Sequence, residues 1–257
     1  MDKDESYIYG LFLADGSIGL LERNRGRVQL EVNSKDKDIV VKLFNHIPNS
    51  RISERTRDTN FKEGYSTCTF SNHYKWFRDW LIECGYPIKN KTFDACLPSV
   101  EFDEMSFWRG FLDGDGSVGL TKENVPFVSL VTDSENIKKA YLDFLYRHYA
   151  ILKTVNRNKR DNAYNILVLN EAAVQLAKDI YLNNDSELYL NRKKDKAIEL
   201  QSWVRTKSSN TKHPWTHELD RIILSTPSVK DASKIIHKTT GAINNRLYLL
   251  KSYNICE

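Results

Sequence analysis

Residues 9–20 read YGLFLADGSIGL, and residues 109–120 read RGFLDGDGSVGL. The two stretches align without a gap at an offset of 100 residues. The register persists beyond them: Val32-Asn33-Ser34 answers Thr132-Asp133-Ser134 at the same offset, and Asn90-Lys91 answers Arg192-Lys193 at an offset of 102. Self-similarity at a fixed period marks a duplicated structural unit. Each copy predicts one element order. An apolar helix ends at the Asp-Gly pair, and strands of alternating pattern follow at 28–32 and 127–131. Helices opened by a serine N-cap come next, at 34–46 and 134–149. A second strand pair (51–57 with 65–70; 153–158 with 164–169) and a closing helix (73–84; 172–183) complete each unit. The pattern is αββαββα twice, an α+β class. The expected domains are a first unit at 1–98, a second at 99–203, a linker at 204–213 and a small all-α module at 214–257.

The chain has 257 residues, 40% hydrophobic and 28% charged, enough for a substantial core. No apolar run approaches the ~20 residues of a membrane span. The opening MDKDESYIYG is acidic and lacks the basic and apolar regions of a signal peptide. Cys68, Cys84, Cys96 and Cys256 form no CxxC pair, which argues against a zinc knuckle and for reduced cytoplasmic thiols. The net charge is only +4, but it is unevenly placed. From Val204 onward nine bases face four acids, so this fifth carries +5 and the rest −1. Within the nearly neutral body, bases cluster at Arg23, Arg25 and Arg27, at Arg51, Arg55 and Arg57, and at Lys153, Arg157, Lys159 and Arg160. On alternating strands these arginines, with Gln29 and Asn156, are candidates for nucleic-acid contact.

Gly10 and Ala14 are four apart, as are Gly110 and Gly114, so each motif helix carries small residues on one face. Glycine inside a helix costs roughly 1 kcal/mol relative to alanine; close backbone approach is what offsets that cost. Pairing the helices through these faces brings their C-terminal ends together, each with an aspartate, Asp15 and Asp115, and a glycine suited to end the helix. Two carboxylates at the negative ends of two helix dipoles repel. A hard divalent cation relieves that repulsion and can activate water against a phosphodiester. An EF-hand reading of DGDGSVGLTKEN fails, because its sixth position is Val118 and its twelfth Asn124.

With these motifs in place, IYGLFLADG (8–16) and WRGFLDGDG (108–116) resemble the paired motif of LAGLIDADG homing endonucleases in their single-chain, two-motif form. The resemblance spans roughly residues 5–200. It implies two pseudo-twofold-related αββαββα units with the motif helices at their interface and two antiparallel sheets forming a saddle on double-stranded DNA. It implies a monomeric, Mg²⁺- or Mn²⁺-dependent endodeoxyribonuclease that cuts a long asymmetric target and leaves 3′ overhangs, as in intron homing. Asp15 and Asp115 fall on the metal-binding acidic position, with Ala14 and Gly114 beside them in the metal set. Lys91 and Lys193 match the family's lysine near each active centre. Ser34 and Ser134 match a position that often carries a longer polar residue. Leu13 departs from the pattern where Asp113 retains it. An intron RNA maturase, or a cleavage-inactive DNA-binding relative, is the alternative.

The basic C-terminal region predicts three short helices, at 216–225, 228–237 and 240–251. They resemble a helix-turn-helix module whose last helix offers Asn244, Asn245 and Arg246 to DNA.

Overall fold

The computed structural model describes residues 1–21, 25–59, 62–205 and 214–253. By internal contacts the chain divides into two units: residues 1–137 with 158–204, and residues 138–157 with 205–257. Arg23 and most of the expected linker lie outside the described residues.

The first unit opens with α1 (Lys3–Asp15), started by a capping box in which Asp2 and Glu5 bond each other's backbone N–H. Every residue from Ser6 to Ala14 is buried. Then come β1 (Gly16–Leu21), β2 (Arg25–Asn33), a 3₁₀ turn, α2 (Lys37–His46), β3 (Ser50–Thr59), β4 (Lys62–Asn72), α3 (Lys75–Glu83) and a short α4 (Lys91–Asp94). The strands form an antiparallel sheet of order β1-β2-β4-β3. Its inner face sets Phe70 against Phe12 of α1 and Phe77 of α3, with ring centroids 5.5–6.3 Å apart.

The second repeat gives α5 (Glu104–Asp115), β5 (Gly116–Leu120), β6 (Pro126–Thr132), α6 (Glu135–Tyr149), β7 (Tyr164–Leu169), α7 (Asn170–Tyr181) and α8 (Asn191–Leu200). Its sheet has three strands, β5-β6-β7. The strand expected at 153–158 does not form. In the second unit the chain here bonds to α11 and its end instead: Tyr253 donates to Lys153 O at 2.8 Å, and just before the segment Arg246 donates to Ala150 O at 2.8 Å. Serine opens only one of the two central helices as expected. Ser134 Oγ accepts from Ile137 N at 3.2 Å, whereas Ser34 starts the 3₁₀ turn with Asn33 as its cap.

The second unit also holds α9 (His217–Ser225), α10 (Val229–Ile236) and α11 (Thr240–Ser252). Ile223, Ala232, Ile243 and Leu250 from these helices enclose Leu152, and Tyr146, Trp215 and Leu247 pack around them. The three helices therefore share a core with residues 146–152 and do not stand alone. Between α10 and α11, His237 adopts a left-handed conformation (φ 54°) and Thr239 caps α11 through Ala242 N. No described helix is long and apolar enough to cross a membrane.

Candidate active site

Helices α1 and α5 meet through their glycines. A Cβ added to Gly10 would lie 2.3 Å from Phe107 O, and one added to Gly110 would lie 2.1 Å from Tyr7 O. At the C-terminal end of the contact, a Cβ on Gly114 would sit 2.4 Å from Ala14 Cβ and 3.4 Å from Asp15 Cγ. The pairing thus delivers both aspartates to one place. The glycine after each aspartate serves a different purpose from the expected left-handed cap. Gly16 and Gly116 are extended (φ −75° and −110°), and each helix passes directly into a strand. A Cβ at either would fall 2.6 Å from the carbonyl oxygen four residues earlier, Phe12 O or Leu112 O.

The carboxyls carry the electrostatic cost of this arrangement. Burial pushes the Asp15 carboxyl above its ordinary value, with Lys91 and Lys193 working against the shift. Burial, followed by repulsion from Asp15, pushes Asp115 up to about 6. Asp133 adds to that repulsion. A cavity of about 260 Å³ opens here, lined by Ala14, Lys91, Thr92, Asp115, Thr132 and Asp133.

The two lysines reach the centre in unequal ways. Lys91, at the start of α4, donates to Ala14 O at 2.5 Å and Gly16 O at 2.7 Å, and burial holds its ammonium below the ordinary value. Lys193 is 1% exposed and donates to Leu112 O, Asp113 O and Gly116 O at 2.5, 2.9 and 2.8 Å. Burial lowers its pKa to about 8. An ammonium has three donors. Those of Lys193 are all engaged in capping α5, so it positions Asp115, whereas Lys91 keeps one N–H for the cavity. The two lysines are thus held differently, and the Ala14 carbonyl, which accepts from Lys91, keeps a second lone pair.

Sequence reasoning set Asp113 aside, and the structure gives it a structural role. Its buried carboxylate accepts from Tyr7 OH at 2.7 Å, Tyr181 OH at 2.8 Å and Leu190 N at 2.8 Å. It ties α1, α5, α7 and the start of α8 together and so fixes Lys193. Asp36, also passed over, accepts from Arg192 at 2.5 and 3.1 Å. Asp133 and Asp36 each stand about 20 residues after a motif aspartate, and that spacing is the signal that marks them.

The basic residues divide sharply. Across β1-β2-β4-β3 the register places Arg25, Arg27, Gln29, Arg51, Arg55 and Arg57 on one face with Ser17, Thr69 and Ser71. The five arginines are exposed and Gln29 is half-buried; Arg57 lies 3.7 Å from Glu31. On β5-β6-β7 the corresponding face carries Phe127, Ser129, Val131, Asn165, Leu167 and Leu169, with no arginine. Lys153, Asn156 and Arg157 lie in the second unit, off any sheet, while Lys159 and Arg160 are exposed in a turn of the first. Asn244 and Asn245 are exposed on α11. Arg246 is not: it is 3% exposed and bonded to Asp220 at 2.6 and 2.7 Å, which corrects its assignment to DNA.

Residues 4–67 match the family model of a WhiA LAGLIDADG-like domain, and residues 103–181 match that of a LAGLIDADG-like domain. Among solved structures, the homing endonuclease I-WcaI bound to its DNA recognition sequence is similar with a TM-score of 0.55 at 16% identity, over 76% of this chain and 85% of that one. Full-length DUF199/WhiA from Thermatoga maritima is similar over 98% of this chain and 91% of its own, at 12% identity and a TM-score of 0.48. No curated protein sequence matches the chain.

Proposed function

The chain belongs to the LAGLIDADG family, its two LAGLIDADG-like domains together spanning more than half of it, and from that premise we propose that it is a site-specific endonuclease hydrolysing both strands of a long, asymmetric DNA duplex. The observation that carries this reading is the pair Asp15 and Asp115, forced together at two helix ends with both carboxyls pushed up. Such a pair is unfavourable by itself and favourable around a divalent cation. The donors fit Mg²⁺ or Mn²⁺, which take hard oxygen ligands. Among the described residues no third His, Cys, Asp or Glu side chain is placed to share a metal ion with this pair. The two aspartates, with the Ala14 and Gly114 carbonyls, would therefore hold the ion and leave room for water and phosphate. Bound there, the metal supplies an activated water and neutralises charge on the phosphate. Lys91 directs its remaining N–H to a phosphate oxygen, and Lys193 keeps α5 and hence Asp115 in place.

Incubation of the full chain with a randomised duplex library and Mg²⁺, followed by sequencing of the cut ends, tests the proposal. Recurrent double-strand breaks at one long motif are expected, and none should appear in excess chelator. A second reading, a cleavage-inactive DNA-binding relative, draws on one observation: the ammonium groups of Lys91 and Lys193 cap both motif helices and offset charge at their ends. Sequence-selective binding with no breaks under any divalent metal would decide for it.

The arginine face of the first sheet is the proposed duplex surface under either reading. Arg27→Ala should weaken binding and lower the slope of log affinity against log salt by about 0.9, the share of one phosphate contact. Its melting temperature should match the parent's, since the side chain is exposed. An unchanged slope would remove Arg27 from the interface. Asn244 and Asn245 are the proposed contacts from the helix-turn-helix pair α10–α11, which the three-residue turn at 237–239 allows.

A further inference from the structure

Within the second unit, α6, the segment 153–156 and the end of α11 enclose a cavity of about 490 Å³. That is the size of a small-molecule site and far more than a lone phosphate fills. Its ionic lining is three lysines, Lys138, Lys139 and Lys153, against one acid, Asp143. The Asp143 carboxylate also accepts from Arg147 at 2.7 Å. Burial holds the Lys153 ammonium below its ordinary value, a state that an incoming anion relieves.

The rest of the lining is Tyr248, Tyr253 and Asn156, with Leu142, Val155, Thr154 and Ser252. Tyr253 fixes the wall through its bond to Lys153 O, and Asn156 is exposed. Tyr248 is 68% exposed and lies outside the apolar cluster of the unit, so packing does not account for it. It belongs to a solvent-facing stripe of α11 that runs from Ser252 through Tyr248 to Asn245, Asn244 and Gly241. Beside Gly241 an added Cβ would meet nothing within 4 Å, so no contact in the fold requires a glycine there.

We propose that this cavity holds one nucleotide of an unpaired nucleic-acid strand, with its base stacked on Tyr248 and its phosphate among the three lysines. Ammonium groups beside an exposed aromatic ring are what sequence-tolerant single-strand sites use. Asn156 is placed to bond the base edge. A nucleoside phosphate could also arrive as a free nucleotide. The strand is favoured because the polar stripe continues along α11 beyond the cavity and gives neighbouring nucleotides a path.

The test uses the full chain in chelator, so it is independent of cleavage. A single-stranded dodecamer carrying 2-aminopurine, the same sequence as a duplex, and 2-aminopurine nucleoside monophosphate are each titrated, reading fluorescence and anisotropy. The single strand should bind with quenching. Tyr248→Ala should lose the quenching and weaken affinity roughly tenfold or more, while Tyr248→Phe retains both. Lys139→Ala should lower the salt slope by about 0.7. All three side-chain changes are at exposed or rim positions, and unchanged melting curves would show that the fold is intact. Quenching that survives Tyr248→Ala would overturn the proposal. Monophosphate binding as tight as the single strand would overturn the strand assignment, and duplex binding with the same Tyr248 dependence would show that the base need not be unpaired.

Discussion

Asp115→Asn is expected to abolish double-strand cleavage, by about 10³-fold or more, while making the metal-free protein more stable. The second half of this expectation follows from the raised carboxyl. A carboxyl whose folded pKa lies above its unfolded value holds its proton more tightly in the folded state. Its contribution favours folding below the ordinary 3.8 and is lost as pH rises through about 6. At pH 7 the ionised side chain therefore opposes folding, by up to about 3 kcal/mol, since each tenfold change in proton affinity is worth roughly 1.4 kcal/mol. Asparagine keeps the shape and removes the charge. Thermal melts in chelator should show the variant ahead of the parent, by a margin that grows from pH 5 to pH 8. Mg²⁺ should raise the parent's melting temperature and leave the variant's nearly unchanged. A variant that cuts at the parental rate would remove Asp115 from the chemistry. Equal melting at pH 8 would show that the nearby lysines already neutralise it.

Gly110→Val should lose stability and activity together. The first atom of the new side chain would land 2.1 Å from Tyr7 O and 2.9 Å from Leu11 N, both backbone atoms that cannot rotate aside. The helices must separate, and overpacking of this kind costs on the order of 3 kcal/mol or more. A displacement near 1 Å at the paired aspartates can reduce rate by about 10²-fold. Gly110→Ala should show the same effect in smaller measure, because its Cβ already meets the carbonyl. Gly241→Ala is the control for melting alone, since its Cβ enters open space. Melting curves on the four proteins, and single-turnover cleavage on the parent and the two Gly110 variants, check the series. A Gly110→Val protein that melts and cuts like the parent would refute the close helix contact.

Much of this was legible in the sequence. The 100-residue repeat showed the duplicated helix-and-sheet pattern, and the small residues 10, 14, 110 and 114 pointed to the helix pair with its aspartates. What was missed follows from long-range packing. A strand was expected at 153–158 from the element order of the first copy, but Arg246 and Tyr253, about 100 residues away, bond the carbonyls of Ala150 and Lys153. Lys193 was expected as a lysine facing the active centre and Arg246 as a contact to DNA, and burial was foreseen for neither. Each sits on a buried stripe instead: Lys193 with Ala197 and Leu200, and Arg246 with Ile243 and Leu250. A charged residue at the i, i+4, i+7 or i, i+3, i+7 position of an apolar stripe is the available warning. Asp113 gave a similar one, because its counterpart in the other repeat is Leu13, an apolar and equally buried position.

The mutual burial of α1 and α5 also governs how the protein is made. Helix α1 buries nine consecutive residues, Ser6 to Ala14, and its partner begins only at Glu104. At about 5–20 residues per second, α1 therefore waits several seconds on the ribosome with an apolar surface and no mate. The Asp113 clamp closes later still, when Leu190 has been added. Contacts so distant in sequence slow folding and prolong exposure of sticky intermediates. Two repeats that look like separable halves thus form one cooperative unit, and the growing chain depends on protection from aggregation until nearly two hundred residues have been synthesised.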